Sequence, residues 1–102
     1  MINWKKVKAK IPHRIRVKNK IYYEVLYIDN FKDGKTLGET RFNEKQIILL
    51  RSLSPKIMVS TFLHELLHAI SFEYNVDLTE TQVLNFENSV PYLLPLIWGL
   101  NE

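Results

Sequence analysis

The spacing of apolar residues divides this sequence into a part with a strand pattern and a part with a helical pattern. Up to residue 50, short runs of alternating or β-branched and aromatic residues are typical of strands, and they are separated by turn residues such as Asn19-Lys20, Asp33-Gly34 and Asn43-Glu44. The first two runs predict an antiparallel hairpin. The predicted strands cover residues 14–17, 21–28, 36–42 and 46–50.

After residue 50 the period becomes helical. Ser54 is suited to cap a helix and Pro55 to occupy its first position, where a missing N–H costs nothing. No helix-breaking residue follows before Tyr74, so the sequence predicts a helix over 55–74. Apolar residues at helical spacing predict its core-facing stripe: Val59, Phe62, Leu63, Leu66, Ile70 and Tyr74.

A second helical region follows. Residues 75–77 end the first helix, and Thr79 is a suitable N-cap for the next. We predict one or two C-terminal helices over 79–100, interrupted by Pro91 and Pro95. Together with a basic lead-in over 1–12, a strand block over 13–50 and the helix over 55–74, this makes one α+β domain over 1–102, with a small antiparallel sheet of three or four strands.

Composition narrows the possible chemistry. The chain has 102 residues, 46% of them apolar, which is typical of a folded domain. It contains no cysteine, so histidine and carboxylate are the available zinc ligands. The first residues show no apolar signal segment, and the apolar stretch 90–100 is too short to span a bilayer. We therefore expect a cytoplasmic protein without a membrane partner.

Charge is unevenly distributed. The first twenty residues carry eight of the fourteen Lys and Arg residues, whereas all eleven acidic residues lie later. Such a basic end could contact nucleic acid or an acidic protein. A solvated tail followed by a strand with a charged outer face explains the same pattern. Base-stacking or groove-reading features, which nucleic-acid-binding modules usually add, are not found here.

The helix over 55–74 carries His64-Glu65-Leu66-Leu67-His68, which has the form HExxH. On a helix, two histidines four residues apart project from the same side and can bind one metal ion. The apolar stripe is centred roughly 140° away from them at 100° per residue. Because both imidazoles leave the helix away from its core stripe, we predict that His64 and His68 are metal ligands.

Two glutamates of the next helix are candidate third ligands. Glu80 and Glu87 share a face with Val83 and Leu84, and a carboxylate on an inward apolar face needs a partner. A tight antiparallel helix pair would favour Glu87, and a splayed pair would favour Glu80. Either could instead be structural, with Glu80 favoured by the helix dipole and Glu87 reaching solvent.

Two histidines and one glutamate leave a fourth position on a single Zn²⁺ ion for water, as in catalytic sites. Zinc lowers the pKa of such a water, and Glu65 would act as the general base that takes its proton. A donor to the oxyanion is also required. Tyr74, His13 and Tyr23 are candidates, although the sequence singles out none of them.

With these residues, the chain resembles the small HExxH metallopeptidase-like proteins of bacteriophages and prophages, which are distant relatives of the SprT-like and ImmA/IrrE zincins. The resemblance includes Leu37-Gly38-Glu39, Ser54-Pro55 and residues 63–70. It extends to residues 77–83, similar to a recurring Leu-Ser/Thr-Glu-x-Gln-Val stretch. It implies a minimal zincin fold, with a small antiparallel sheet, an active-site helix and Glu80 as third ligand. The chain lacks the segments that build a full substrate cleft in larger relatives.

The sequence therefore supports two functional hypotheses. The first is a zinc metallopeptidase, encoded by a phage or prophage, that hydrolyses an unidentified protein or peptide substrate held along the edge strand formed by residues 36–42. The second is a non-catalytic module, stabilised by zinc, whose basic N-terminus contacts nucleic acid or an acidic protein. An open fourth metal position would favour the enzyme.

Overall fold

A helix and a β-hairpin form the N-terminal part of the structure. The computed structural model describes residues 2–89. Helix α1 spans Trp4–Ala9 and is capped by Asn3, whose side chain accepts a hydrogen bond from the Lys6 N–H. Strands β1 (Arg14–Lys18) and β2 (Ile21–Ile28) pair antiparallel, as predicted. The segment interpreted as a basic lead-in thus contains a helix, and its Val7 is fully buried against the core.

Two further strands complete a mixed sheet. Strand β3 spans Gly38–Arg41 and β4 spans Gln46–Leu50, and the strand order is β1-β2-β4-β3. Strand β3 is antiparallel to β4, but β4 is parallel to β2. The prediction of a purely antiparallel sheet was therefore wrong. The connection over residues 29–37 is long enough to skip one strand position, so the chain returns as the edge strand β3 and then inserts β4 beside β2.

A turn fixes where that connection enters the edge strand. The Asp33 carboxylate accepts hydrogen bonds from the backbone N–H groups of Lys35 and Thr36, each at 2.9 Å, and from the Thr36 hydroxyl. These bonds, chiefly that from the hydroxyl, lower the pKa of Asp33 to about 2. Gly34 has a φ of +67°, which favours glycine. The predicted Asp33-Gly34 turn therefore leads directly into β3.

Helix α2 spans Pro55–Tyr74 and packs on one face of the sheet. Its buried residues include Val59, Phe62 and Leu63 of the predicted stripe, and Leu66 and Ile70 are partly buried against the same core. The sheet contributes the fully buried side chains Tyr23, Ile47 and Leu49. Tyr74, the last residue predicted for the stripe, is instead exposed, and Lys18 Nζ lies 5.1 Å from its ring centroid.

Helix α3 spans Glu80–Ser89 and packs against α2 through Val83, which is fully buried. Thr79 and Gln82 cap it reciprocally: the Gln82 N–H donates to Thr79 Oγ1, and the Thr79 N–H donates to Gln82 Oε1. The part of the C-terminal helical prediction beyond residue 89 lies outside the described residues. No helix within residues 2–89 has the length and apolarity needed to cross a membrane.

The structure is thus an α+β domain with a four-stranded mixed sheet and three helices in its described part. Strand β3 lies at an edge of the sheet and next to α2, so an open strand edge runs beside the helix that carries the HExxH residues.

Candidate metal centre

His64 and His68 lie one turn apart on α2, and their imidazoles converge. Their Nε2 atoms are 3.1 Å apart, and the ring centroids are 4.8 Å apart. Two nitrogens that each bind a tetrahedral zinc ion at about 2.05 Å are about 3.3 Å from one another. The observed Nε2 separation therefore suits two ligands of one ion.

Glu80 completes a group of three candidate ligands. Its Oε1 lies 3.5 Å from His68 Nε2, and its Oε2 lies 4.0 Å from His64 Nε2. One ligand atom from each of the three residues lies within 4.8 Å of the others. The Thr79 cap places Glu80 in the first helical position of α3, from which its carboxylate faces the two histidines. Two imidazoles and one carboxylate are a donor set that zinc commonly takes.

Glu87 approaches the same site differently. Its Oε2 lies 3.6 Å from His64 Nδ1, the ring nitrogen other than the one that faces His68 and Glu80. The Glu87 side chain is 19% exposed, whereas that of Glu80 is 71% exposed. A carboxylate beside Nδ1 favours the tautomer with its proton on Nδ1, which leaves the Nε2 lone pair free for a metal. The geometry thus places Glu80 beside the two Nε2 atoms and Glu87 beside Nδ1 of His64.

Glu65 points to the sheet side of α2 and is buried. Thr40 Oγ1 of strand β3 lies 2.8 Å from Glu65 Oε1 and 2.9 Å from the Glu65 carbonyl oxygen, so its single proton is donated to one of these acceptors at a time. Burial raises the pKa of Glu65, and the hydrogen bond from Thr40 and the nearby histidines oppose this rise. A buried carboxylate with a raised pKa beside two histidines is suited to proton transfer.

Gly38 allows β3 to approach α2 this closely. A Cβ atom at Gly38 would lie 2.6 Å from Thr61 Cγ2 and 3.1 Å from Glu65 Cγ. A side chain would therefore push the edge strand away from Glu65. Sequence reasoning had not assigned roles to Gly38 or Thr40, although glycine inside a strand is a known sign of close backbone approach.

Two cavities flank the candidate ligands, one on each side. The first has a volume of about 380 Å³ and lies beside His64 and Glu65, between the start of β3 and Leu84 of α3. The second, about 580 Å³, lies beside His68 and is lined by Phe42 and Phe72 among others. The candidate centre is thus accessible from two directions along β3.

The three candidate oxyanion donors do not line either cavity. Tyr23 is fully buried, and its hydroxyl donates to Glu73 Oε2 at 2.6 Å, so it is engaged in the core. His13 lines a separate depression of about 770 Å³ beside the β1–β2 hairpin. Tyr74 is exposed at the end of α2. The described residues therefore bring none of the three to the histidines.

Comparisons of the chain with protein-family models, with curated proteins and with solved structures found no match.

The basic N-terminal residues are divided between α1 and β1. Lys5, Lys6 and Lys10 are exposed on or just after α1, and Arg14 and Arg16 are exposed on β1, where the Arg14 guanidinium lies 4.0 Å from the Tyr22 ring centroid. Contact of these residues with nucleic acid or an acidic protein stays a prediction.

Proposed function

We propose that this protein is a zinc-dependent hydrolase that cleaves peptide bonds in extended protein segments. The observation that carries the proposal is the convergence of His64, His68 and Glu80 beside the buried Glu65 and an open strand edge. Each part has a separate role: the three ligands would bind the metal, Glu65 acts as the general base, and strand β3 positions the substrate.

In this proposal His64 Nε2, His68 Nε2 and the Glu80 carboxylate would hold the ion. When bound, zinc would supply a Lewis acid for polarising a carbonyl group and activating a water. Glu65 accepts the proton of the attacking water and passes it to the leaving amine. Burial raises the pKa of Glu65, and a carboxylate with a raised pKa is a stronger base. Thr40 Oγ1 lies 2.8 Å from Oε1 and restricts the orientation of this carboxylate when it donates its proton there.

Strand β3 offers backbone groups that can hold an extended substrate. The Leu50 N–H donates to the Leu37 carbonyl, so Leu37 forms a hydrogen-bonded pair with β4. Antiparallel pairing alternates, and therefore the N–H and C=O groups of Gly38 and Thr40 point away from β4, toward the open edge. A substrate strand added at this edge would run directly past Glu65. This arrangement supports a peptide substrate over a small molecule.

The test compares Glu65→Gln with the wild type and with Glu24→Gln, which changes an exposed carboxylate on β2. The zinc-loaded proteins are incubated with a proteome-derived peptide library, and new termini are identified by mass spectrometry. We expect wild type and Glu24→Gln to cleave, and Glu65→Gln to bind zinc but lose at least 100-fold in rate. Cleavage by Glu65→Gln at the wild-type rate would contradict the base assignment.

Absence of cleavage by the zinc-loaded wild type would contradict the hydrolase proposal as a whole. If zinc still bound and stabilised the fold in that case, the result would favour the non-catalytic zinc-stabilised module.

A further inference from the structure

Two leucines from distant parts of the sequence face the same cavity beside the candidate centre. Leu37 precedes β3 and is 44% exposed, and Leu84 on α3 is 46% exposed. Both line the cavity of about 380 Å³ that also reaches His64 and Glu65. Large apolar side chains left exposed at the entrance of a cavity mark a binding surface more often than isolated exposed leucines do.

We propose that Leu37 and Leu84 form a selectivity pocket for a bulky aliphatic side chain next to the scissile bond. This inference rests on the proposed function, because it takes the extended peptide along β3 as the ligand. The cavity volume lies at the lower end of the roughly 300–1,000 Å³ range of ligand pockets. It therefore suits one side chain with its adjoining backbone rather than several residues.

The position of the pocket follows from the strand edge. Gly38, whose backbone N–H and C=O point to the open edge, directly follows Leu37 in the sequence. If a peptide residue pairs with Gly38, the side chain of the adjacent peptide residue should lie within reach of Leu37. Leu84 closes the same cavity from the side of α3. A leucine, isoleucine or methionine side chain there would cover apolar surface on both walls.

Charge in the pocket points to the same class of side chain. Glu65 and Glu87 both line the cavity, and no described residue that lines it is a Lys or Arg. Apart from the metal ion itself, an acidic substrate side chain would meet two carboxylates and no cationic side chain from the described lining, and like charges at short range repel. The pocket therefore disfavours Asp and Glu.

The second cavity, on the His68 side, also has exposed apolar side chains, Phe72 and Val76 at 50% each, but its lining is more polar. Phe42 and Phe72 stack on each other with ring centroids 4.6 Å apart, so each already covers one face of the other. Asn75 and Asp77 also line this cavity. Selection of an aliphatic side chain is therefore assigned to the Leu37–Leu84 side.

The test measures binding as well as cleavage. Glycine hydroxamate, leucine hydroxamate and aspartate hydroxamate share one zinc-binding group and differ only in the side chain. Their affinities for the zinc-loaded full chain are measured by calorimetry. We expect leucine hydroxamate to bind about tenfold more tightly than glycine hydroxamate, as partial burial of one aliphatic side chain allows. Aspartate hydroxamate is expected to bind more weakly than glycine hydroxamate.

Variants locate this preference. In the double variant Leu37→Ala, Leu84→Ala, leucine hydroxamate should bind less than twofold more tightly than glycine hydroxamate, whose own affinity should not change. Leu84→Met should keep the preference for leucine hydroxamate. Ile57→Ala is the matched control, because Ile57 is 47% exposed on α2 and does not line the cavity. Equal binding of leucine and glycine hydroxamates by the wild type would overturn the pocket, as would an advantage that survives in the double variant. Failure of all three to bind would overturn it too.

The peptide library separates this inference from the proposed function. A leucine preference in hydroxamate binding without any peptide cleavage would support the pocket and contradict the hydrolase. Cleavage without enrichment of aliphatic residues next to the cleaved bond would support the hydrolase and overturn the pocket.

Discussion

Replacement of Gly38 by alanine tests how β3 and α2 are joined at the candidate centre. The new Cβ would lie 2.6 Å from Thr61 Cγ2, about 1 Å inside ordinary carbon–carbon contact of about 3.5–4.0 Å. Overpacking of this kind costs about 1–3 kcal/mol. The lower backbone entropy of alanine in the unfolded chain offsets about 0.4–1 kcal/mol. The two ranges leave a net loss of about 0–2.6 kcal/mol in the free energy of unfolding, and we expect a value near the middle, about 1.3 kcal/mol.

The contact with Thr61 can be isolated by a double-mutant cycle. Thr61→Ser removes the Cγ2 atom and keeps the hydroxyl, so Gly38→Ala should cost less than half as much in that background. The free energies are measured by urea unfolding in the presence of a chelator, with circular dichroism as the signal. Gly34→Ala is the control: Gly34 has a positive φ and no atom within 4 Å of an added Cβ, so its cost should be the same in both backgrounds.

Two results would refute this reasoning. The first is a loss below 0.5 kcal/mol for Gly38→Ala, which is within the range of ordinary surface substitutions, about ±0.5 kcal/mol. The second is an equal loss in the wild-type and Thr61→Ser backgrounds, which would show that the close contact does not limit the approach of β3.

Three further predictions concern groups around the site and the core. Thr40→Val removes the hydrogen bond that opposes the rise in the pKa of Glu65, so the pKa of Glu65 should rise further. Carboxyl ¹³C titrations of the metal-free protein measure this pKa, and Thr40→Ser should leave it unchanged. Burial acts to raise the pKa of Glu73, but hydrogen bonds from Lys45 and Tyr23 outweigh it and lower the pKa below 4.5. Ionised Glu73 should therefore stabilise the fold above pH 4.5, and this contribution should be lost as the pH falls further. Acid unfolding of Glu73→Gln should lack the contribution, and equal acid profiles for the two proteins would contradict this. Glu87→Gln should weaken zinc binding about 10–100-fold in competition titrations, because it removes the negative charge 3.6 Å from His64 Nδ1; unchanged affinity would show that this carboxylate does not support the histidine.

The sequence predicted the elements that depend on local signals. Helix α2 has the predicted bounds because Pro55 suits its first position and no breaker occurs before Tyr74; Ser54 is the N-cap residue, although its side chain makes no capping hydrogen bond. The paired imidazoles follow from helix geometry alone. Tyr74 was placed on the core stripe by periodicity, yet periodicity does not report where the sheet beneath a helix ends.

Strand order could not be predicted in this way. Residues 29–37 allow either a simple meander or a skipped strand position, and only tertiary packing selects the parallel pairing of β2 with β4. Thr40 illustrates the same limit. Its hydroxyl matters because it faces Glu65 across 25 positions of sequence, and no local pattern reveals that contact.

The choice between Glu80 and Glu87 depended on the angle between two helices, which the sequence left open. In the structure Glu80 faces the Nε2 atoms and Glu87 faces Nδ1 of His64, so both carboxylates lie near the histidines but on different ring nitrogens. The family resemblance had favoured Glu80 by its motif.

The measurement that tests the central claim most directly is a zinc titration of the metal-free protein against a chromophoric chelator at pH 7. The wild type should bind one zinc ion, His64→Ala should lose stoichiometric binding, and Glu80→Gln should bind more weakly than the wild type. His13→Ala is the matched control and should bind as the wild type does, because His13 lies at the β1–β2 hairpin. Absence of stoichiometric binding by the wild type, or its retention in His64→Ala, would contradict the metal centre.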